Sequence, residues 1–277
     1  MATRKIIKLP NASGGATGLQ EVVAEVGWEY FKLFGIQKSG AAVIGDITNI
    51  MPMINNKGIW ENIDGIDLDA IRAYDSLVPF ATNTILMIDF ERQHFIDGVP
   101  RQATSINTLI PSKATHKAIT NFGLKYTLGV AATFDWYAEV LPSDPVGPGY
   151  IPRLEKTADT LSIGTKTFNG LPYGAKDVLH AQWQRVFMKN ATITQVELKN
   201  GSDSVIEQVP TAAINQLLTD GGKIPGAYFG YILDFARYQM PEYFDVLGIA
   251  EKNLKLMITS SAATAVEIIV ESLGEIE

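Results

Sequence analysis

Ile193-Thr194-Gln195-Val196-Glu197-Leu198-Lys199-Asn200-Gly201 is the stretch that decides how the chain folds. Thr194, Val196 and Leu198 alternate with Gln195, Glu197 and Lys199, the period of two that marks a strand with one buried face. It closes on Asn-Gly, a pair that tolerates the positive φ of a tight hairpin turn. Ile47-Thr48-Asn49-Ile50 repeats the opening of this stretch earlier in the chain. There Pro52 stands in the place of Leu198, and Asn55-Asn56-Lys57-Gly58 supplies the turn. Because proline withholds a ladder donor, the earlier strand is expected to lie at an edge or to end there.

Further anchors recur in the same order on either side of this pair. Lys5–Pro10, a short strand closing on Leu-Pro, matches Lys166–Pro172, and the strand around Trp28 matches that around Trp183. After the hairpin each copy offers a short amphipathic helix. In the first, Leu68, Ile71, Tyr74 and Leu77 share a face, with Asp64 as cap and Asp67 near the positive end of the helix dipole. In the second, Ile214, Leu217 and Leu218 follow Pro210-Thr211, and Gly221-Gly222 ends the helix by accepting a left-handed turn. Ile88-Asp89-Phe90-Glu91-Arg92 then matches Leu233-Asp234-Phe235-Ala236-Arg237. Leu124-Lys125-Tyr126 matches Leu254-Lys255-Leu256, and the strand ending at Glu139 matches the one ending at Glu271.

The chain therefore contains one unit twice, and such a repeat sets the architecture before any motif does. The spacing between matched anchors shrinks toward the C-terminus, so the first copy carries the longer surface connections. The expected organisation is a first jelly roll over residues 1–141, a Pro-rich extended linker over 142–164 and a second jelly roll over 165–277. The fold class is all-β with short helices, as two tandem eight-stranded jelly rolls. Phe90 and Phe235 are expected to be buried at equivalent places in the two barrels.

Composition narrows the function. A net charge of −7 repels a phosphate backbone, which argues against direct nucleic-acid binding. Zero cysteines exclude disulfides and thiolate metal sites. No signal-peptide core or membrane-spanning apolar run is evident, so the chain reads as neither secreted by a leader nor membrane-spanning. His94, His116 and His180 are too scattered to form the ligand pattern of a two-barrel metalloenzyme. No nucleophile elbow, phosphate loop or dinucleotide fingerprint occurs, and the chain reads as a non-enzyme.

The stretch Ile193–Gly201 with its following helix, and Asn253–Ile258 leading into Ala265–Gly274, resemble the double jelly-roll major capsid proteins of internal-membrane icosahedral bacteriophages. The corticovirus coat is the nearest in pattern; tectivirus and flavobacterial lipid-containing phage coats are looser. The resemblance implies a homotrimer whose six barrels form a pseudo-hexagonal capsomer in a shell enclosing a membrane. Its partners would be itself, neighbouring capsomers, other capsid proteins such as a penton, and the membrane surface. Its location would be the virion, after assembly in the host cytoplasm. No cofactor is implied except calcium, for which Asp64, Asp67 and Asp69 are the candidates; helix-start carboxylates account for the same residues without an ion, and a calcium-loop spacing is absent.

Two other groups of residues are candidates for contacts. Asp89, Arg92, Asp234 and Arg237, paired across the copies, are interface candidates, with a strand-end salt bridge as the alternative. Arg4, Lys5 and Lys8 form a basic cluster that could meet anionic lipid, or be a solvated tail. The alternative function is a double β-sandwich that binds or processes carbohydrate. In that case Trp60 or Trp136 would be exposed to stack on sugar rings, whereas capsid walls would bury them.

Overall fold

The computed structural model describes residues 3–10, 16–77, 85–91, 105–109, 118–142, 150–168, 171, 182–235, 244–245 and 253–275. The chain divides into two compact units. Unit 1 is Met1–Arg72 with Leu77–Pro152 and Glu275–Glu277; unit 2 is Arg153–Gly274 with the short segment Ala73–Ser76.

The first repeat runs β1 (Lys5–Lys8), β2 (Gly18–Ala24), β3 (Trp28–Gly40), β4 (Ile47–Ile54), β5 (Lys57–Gly58), β6 (Trp60–Glu61), α1 (Gly65–Tyr74), β7 (Ile85–Asp89), β8 (Ile106–Asn107), β9 (Phe122–Leu128) and β10 (Ala132–Pro142). One sheet has the order β1-β10-β3-β7, with β8 also on β3, and the other β2-β9-β4-β5. The second repeat runs β11 (Tyr150–Leu161), β12 (Gly164–Phe168), β13 (Gln182–Lys189), β14 (Ile193–Asn200), β15 (Asp203–Pro210), α2 (Thr211–Asp220), β16 (Tyr231–Asp234), β17 (Phe244–Asp245), β18 (Leu254–Ser260) and β19 (Thr264–Glu275). Its sheets are β11-β19-β13-β16, with β17 on β13, and β12-β18-β14-β15. Apart from β6, strand for strand this is the first repeat again. In both, the chain passes back and forth between the two sheets, the connectivity expected of a jelly roll.

The repeats also agree in register. Lys32 of β3 lies opposite Asp89 and Glu139, as Arg185 of β13 lies opposite Asp234 and Glu271. Beside this row each repeat has a bulge at the same point, with Phe31 and Gln184 as the extra residues. The bulges accept equivalent bonds: the Phe90 N–H donates to Phe31 O, and the Phe235 N–H to Gln184 O. Gly18 and Gly164, each first in its strand, hold φ of +101° and +95°, a region open to glycine.

Some expectations need correction. The counterpart of β1 is β11, and Lys166 lies in β12, the counterpart of β2; the Leu-Pro match joined the wrong strands. Leu124 faces Pro52 and Leu256 faces Leu198, so Leu124 matches Leu256 rather than Leu254. Likewise Tyr30, not Trp28, matches Trp183. Both slips are of two residues, which leaves every side chain on its original face and so escapes a pattern of period two. Tyr150–Leu161, inside the stretch read as a linker, is a strand. Proline loses only its own donor, and the extended backbone around Pro152 joins a sheet. Phe90 is fully buried but Phe235 is half-buried.

The helices end alike. The Ser76 N–H donates to Ala73 O and the Leu77 N–H to Arg72 O; the Gly222 N–H donates to Thr219 O and the Lys223 N–H to Leu218 O. Each is a Schellman closure around a left-handed residue, Ser76 at φ +59° and Gly222 at φ +77°. Leu77 lies beyond the end of α1, and Leu217 points to solvent, 40% exposed.

Candidate functional site

The residues the two repeats hold in common converge on one row of each inner-strand trio, and there the sheets carry charge. In unit 1, Lys32 Nζ lies 3.1 Å from Asp89 Oδ1, and Arg72 of α1 bonds the other oxygen of Asp89. Arg4 grips Glu91 through both guanidinium ends at 2.9 and 3.0 Å and reaches Glu139 at 3.3 Å, with its guanidinium 3.8 Å above the Phe31 ring.

In unit 2 the equivalent row is sealed. Arg185 donates through Nε to Glu271 and through Nη1 to both oxygens of Asp75, at 2.7 and 2.8 Å. Lys223 Nζ reaches Asp75 at 2.8 Å, and the Tyr74 hydroxyl donates to Asp234 at 2.6 Å. Arg185 and Glu271 are 1% and 0% exposed. Tyr74 and Asp75 come from Ala73–Ser76, the only part of unit 2 that precedes Arg153. The Tyr74 ring stands edge-on to Phe187 at 5.7 Å.

Charges so buried are stable only when paired. Burial lowers the tendency of Arg185 to hold its proton, but Asp75 and Glu271 more than offset this and hold it well above its ordinary value. Burial raises the Asp234 carboxyl above the usual carboxylate range, against the pull of Arg185, the Tyr74 bond and Lys223. Tyr74 is also raised, by burial first and by the Asp234 charge second. The arrangement clamps three strands and a strap together and leaves no opening for a substrate at Arg185 or Glu271.

The candidates from sequence fall variously on this frame. Asp89 and Asp234 do occupy equivalent places, each paired inside its own unit, Asp89 half-buried and Asp234 buried. Arg92, Arg237 and the three histidines lie outside the described residues. Lys5 and Lys8 are in β1, paired to β10, and Arg4 immediately precedes it. Lys5 is exposed, Arg4 is held by Glu91 and Glu139, and Lys8 lies 3.3 Å from Asp135. At the start of α1, Asp64 Oδ1 accepts the Asn49 N–H and Asp67 Oδ2 the Asp64 N–H. Asp69 is half-buried one turn on. Among the described residues no three His, Cys, Asp or Glu side chains converge as a metal site would need. Sequence reasoning missed Lys32, Asp75, Arg185 and Lys223. Glu139 and Glu271 were in view as a matched pair, but their partners Lys32 and Arg185 lie in strands distant in sequence, where no local pattern joins them.

The tryptophans also bear on function. Trp60, Trp136 and Trp183 are at most 1% exposed. Trp60 donates to Pro152 O at 3.2 Å and Trp136 to the Tyr126 hydroxyl at 3.2 Å, so their polar edges are used internally.

Residues 152–276 match the family model described as viral coat protein P2 C-terminal domain. Among solved structures, the major capsid protein P2 from bacteriophage PM2 superposes with a TM-score of 0.79 at 16% identity, covering 99% of this chain and 98% of that one. This is the double jelly-roll fold of viral major capsid proteins. The STIV MCP gives a TM-score of 0.66 at 11% identity over 99% of this chain and 97% of that one. The PBCV-1 virus capsid gives 0.63 at 9% over 99% and 94%. No curated protein matches by sequence. At such identities the double jelly roll persists while most residues differ, as expected when alternation and turns define a fold and loops do not.

Proposed function

We propose that the chain is the major capsid protein of an icosahedral virus, a structural subunit without catalysis that assembles as a homotrimer. Six similar barrels per trimer form a pseudo-hexagonal capsomer in a shell enclosing a membrane, built in the host cytoplasm, with a penton protein and the membrane surface as further partners. The observation that carries the reading is the duplication itself, matched in strand order, register, bulge and helix ending. A chain with two equivalent sandwiches lets three copies offer six near-equivalent walls, which is what a quasi-hexagonal lattice requires. The coat-protein family match over the second repeat supports the same reading. Calcium at Asp64, Asp67 and Asp69 would have to compete with the backbone N–H groups that Asp64 and Asp67 already accept.

Carbohydrate binding loses its support. The tryptophans that would have stacked on sugars are core residues.

Light scattering coupled to size exclusion tests assembly. The expected particle is about ninety kilodaltons, three times 30.2 kDa. A monomer persisting at every concentration would overturn the reading.

A further inference from the structure

The two repeats share one fold but not one degree of burial, and the difference lies on a single face. In unit 2 the row positions Arg185, Phe187, Ile232, Asp234, Ile269 and Glu271 point the same way, because each lies directly opposite its neighbour in register. All six are buried, under Tyr74 and Asp75. Their counterparts in unit 1 are Lys32, Phe34, Met87, Asp89, Tyr137 and Glu139, and every one is only half-buried. The same face is closed in one repeat and partly open in the other.

What closes it in unit 2 is the end of a helix, and the chain has a second helix with the same ending. Ala73–Ser76 includes the last turn of α1 and its Schellman closure. The matching segment, Thr219–Gly222 at the end of α2, has the same closure, yet Thr219, Asp220 and Gly222 are exposed. Asp220 stands where α1 has Tyr74. One helix end is buried on a sheet face; the other touches the first through the Ser76 hydroxyl, which donates to Gly222 O at 3.2 Å, and leaves Thr219 and Asp220 exposed.

We infer that the end of α2 in one copy of this chain seats on the Lys32–Phe34–Tyr137 face of unit 1 in a second copy, repeating between chains the seat that Ala73–Ser76 occupies in unit 2. Asp220 brings a carboxylate to a place where Lys32 and Arg72 share Asp89, and the backbone around Gly221 covers the stacked rings of Phe34 and Tyr137, 5.4 Å apart. The contact joins unlike patches, so it propagates head to tail and is satisfied when the copies close into a ring. It deepens the capsomer reading above by naming the surfaces that meet, and it rests on that reading.

The chain has no cysteine, which permits a clean test. Phe34→Cys and Asp220→Cys proteins are prepared separately, mixed, and treated with a short bismaleimide; a link between them can only be between copies. The expected result is a covalent heterodimer from this mixture and none when Lys38→Cys, exposed farther along β3, replaces Phe34→Cys. A second variant, Asp220→Lys, needs no cysteine and lies on an exposed helix end. It is expected to weaken assembly at least about tenfold in dissociation constant, an effect of sign reversal opposite Lys32 and Arg72. Trimers that form normally with Asp220→Lys and give no heterodimer would overturn the inference while leaving the capsomer reading intact. Wild-type monomers would remove both.

Discussion

Phe90→Ala and Phe235→Ala remove the same ring from equivalent positions of the two repeats, and the structure assigns them unequal costs. Both backbones are fixed by the same bond, the N–H of each phenylalanine donating to the bulge residue of the neighbouring strand. Their surroundings differ. The Phe90 ring is fully buried, 6.1 Å from Trp60 and 5.8 Å from Phe122, so its loss leaves a cavity that neighbouring rings cannot fill. Core truncation of phenylalanine costs about 3–5 kcal/mol. Phe235 is half-buried, stacked on Phe244 at 5.4 Å, and water can enter where its ring was. Roughly half of a transfer free energy, about 1–2 kcal/mol, is then at stake. Urea unfolding followed by fluorine resonance of 5-fluorotryptophan separates the repeats, since Trp60 adjoins Phe90 and Trp183 lies 6.1 Å from Phe244. The expected result is a large fall in the Trp60 midpoint for Phe90→Ala and a small fall in the Trp183 midpoint for Phe235→Ala. Equal falls would refute the reasoning that cover, and not sequence position, sets the cost.

Two further outcomes concern the sealed row of unit 2. Arg185→Met leaves the Asp75 and Glu271 carboxylates buried without their guanidinium, and is expected to cost about 3–5 kcal/mol in the same unfolding measurement; a loss under about 1 kcal/mol would show that the row contributes no more than a surface pair. Asp234→Asn keeps an acceptor for the Tyr74 hydroxyl and removes a charge. Because burial raises Asp234 above its unfolded value of 3.8, its protonated form favours the folded state, and that stability is lost as pH rises through the folded value. The variant should therefore gain on wild type as pH rises from the unfolded value of 3.8 through the raised folded value, and parallel stability curves would contradict the assigned direction.

Within the fold, what could be read without coordinates was whatever a short stretch encodes by itself. The alternation in Ile193–Asn200 and in β10 and β18, the turns at Asn55-Asn56 and Gly201, and the helix ending at Gly221-Gly222 all depend on neighbours a few residues away. Their recurrence in one order was enough for a duplicated sandwich. The matched pairs Asp89/Asp234 and Glu139/Glu271 were visible for the same reason, though their role was not, since the partners Lys32 and Arg185 lie in strands distant in sequence.

Sequence alone determined that one sandwich was made twice, because period, turn chemistry and helix endings are local and survive copying. Only the tertiary structure decided which residues stand opposite one another, that β11 joins a sheet, and that the charged row is buried in one repeat and half-open in the other. A shift of two residues is invisible to a pattern of period two, and burial depends on what covers a face, which for Arg185 is a segment more than a hundred positions away.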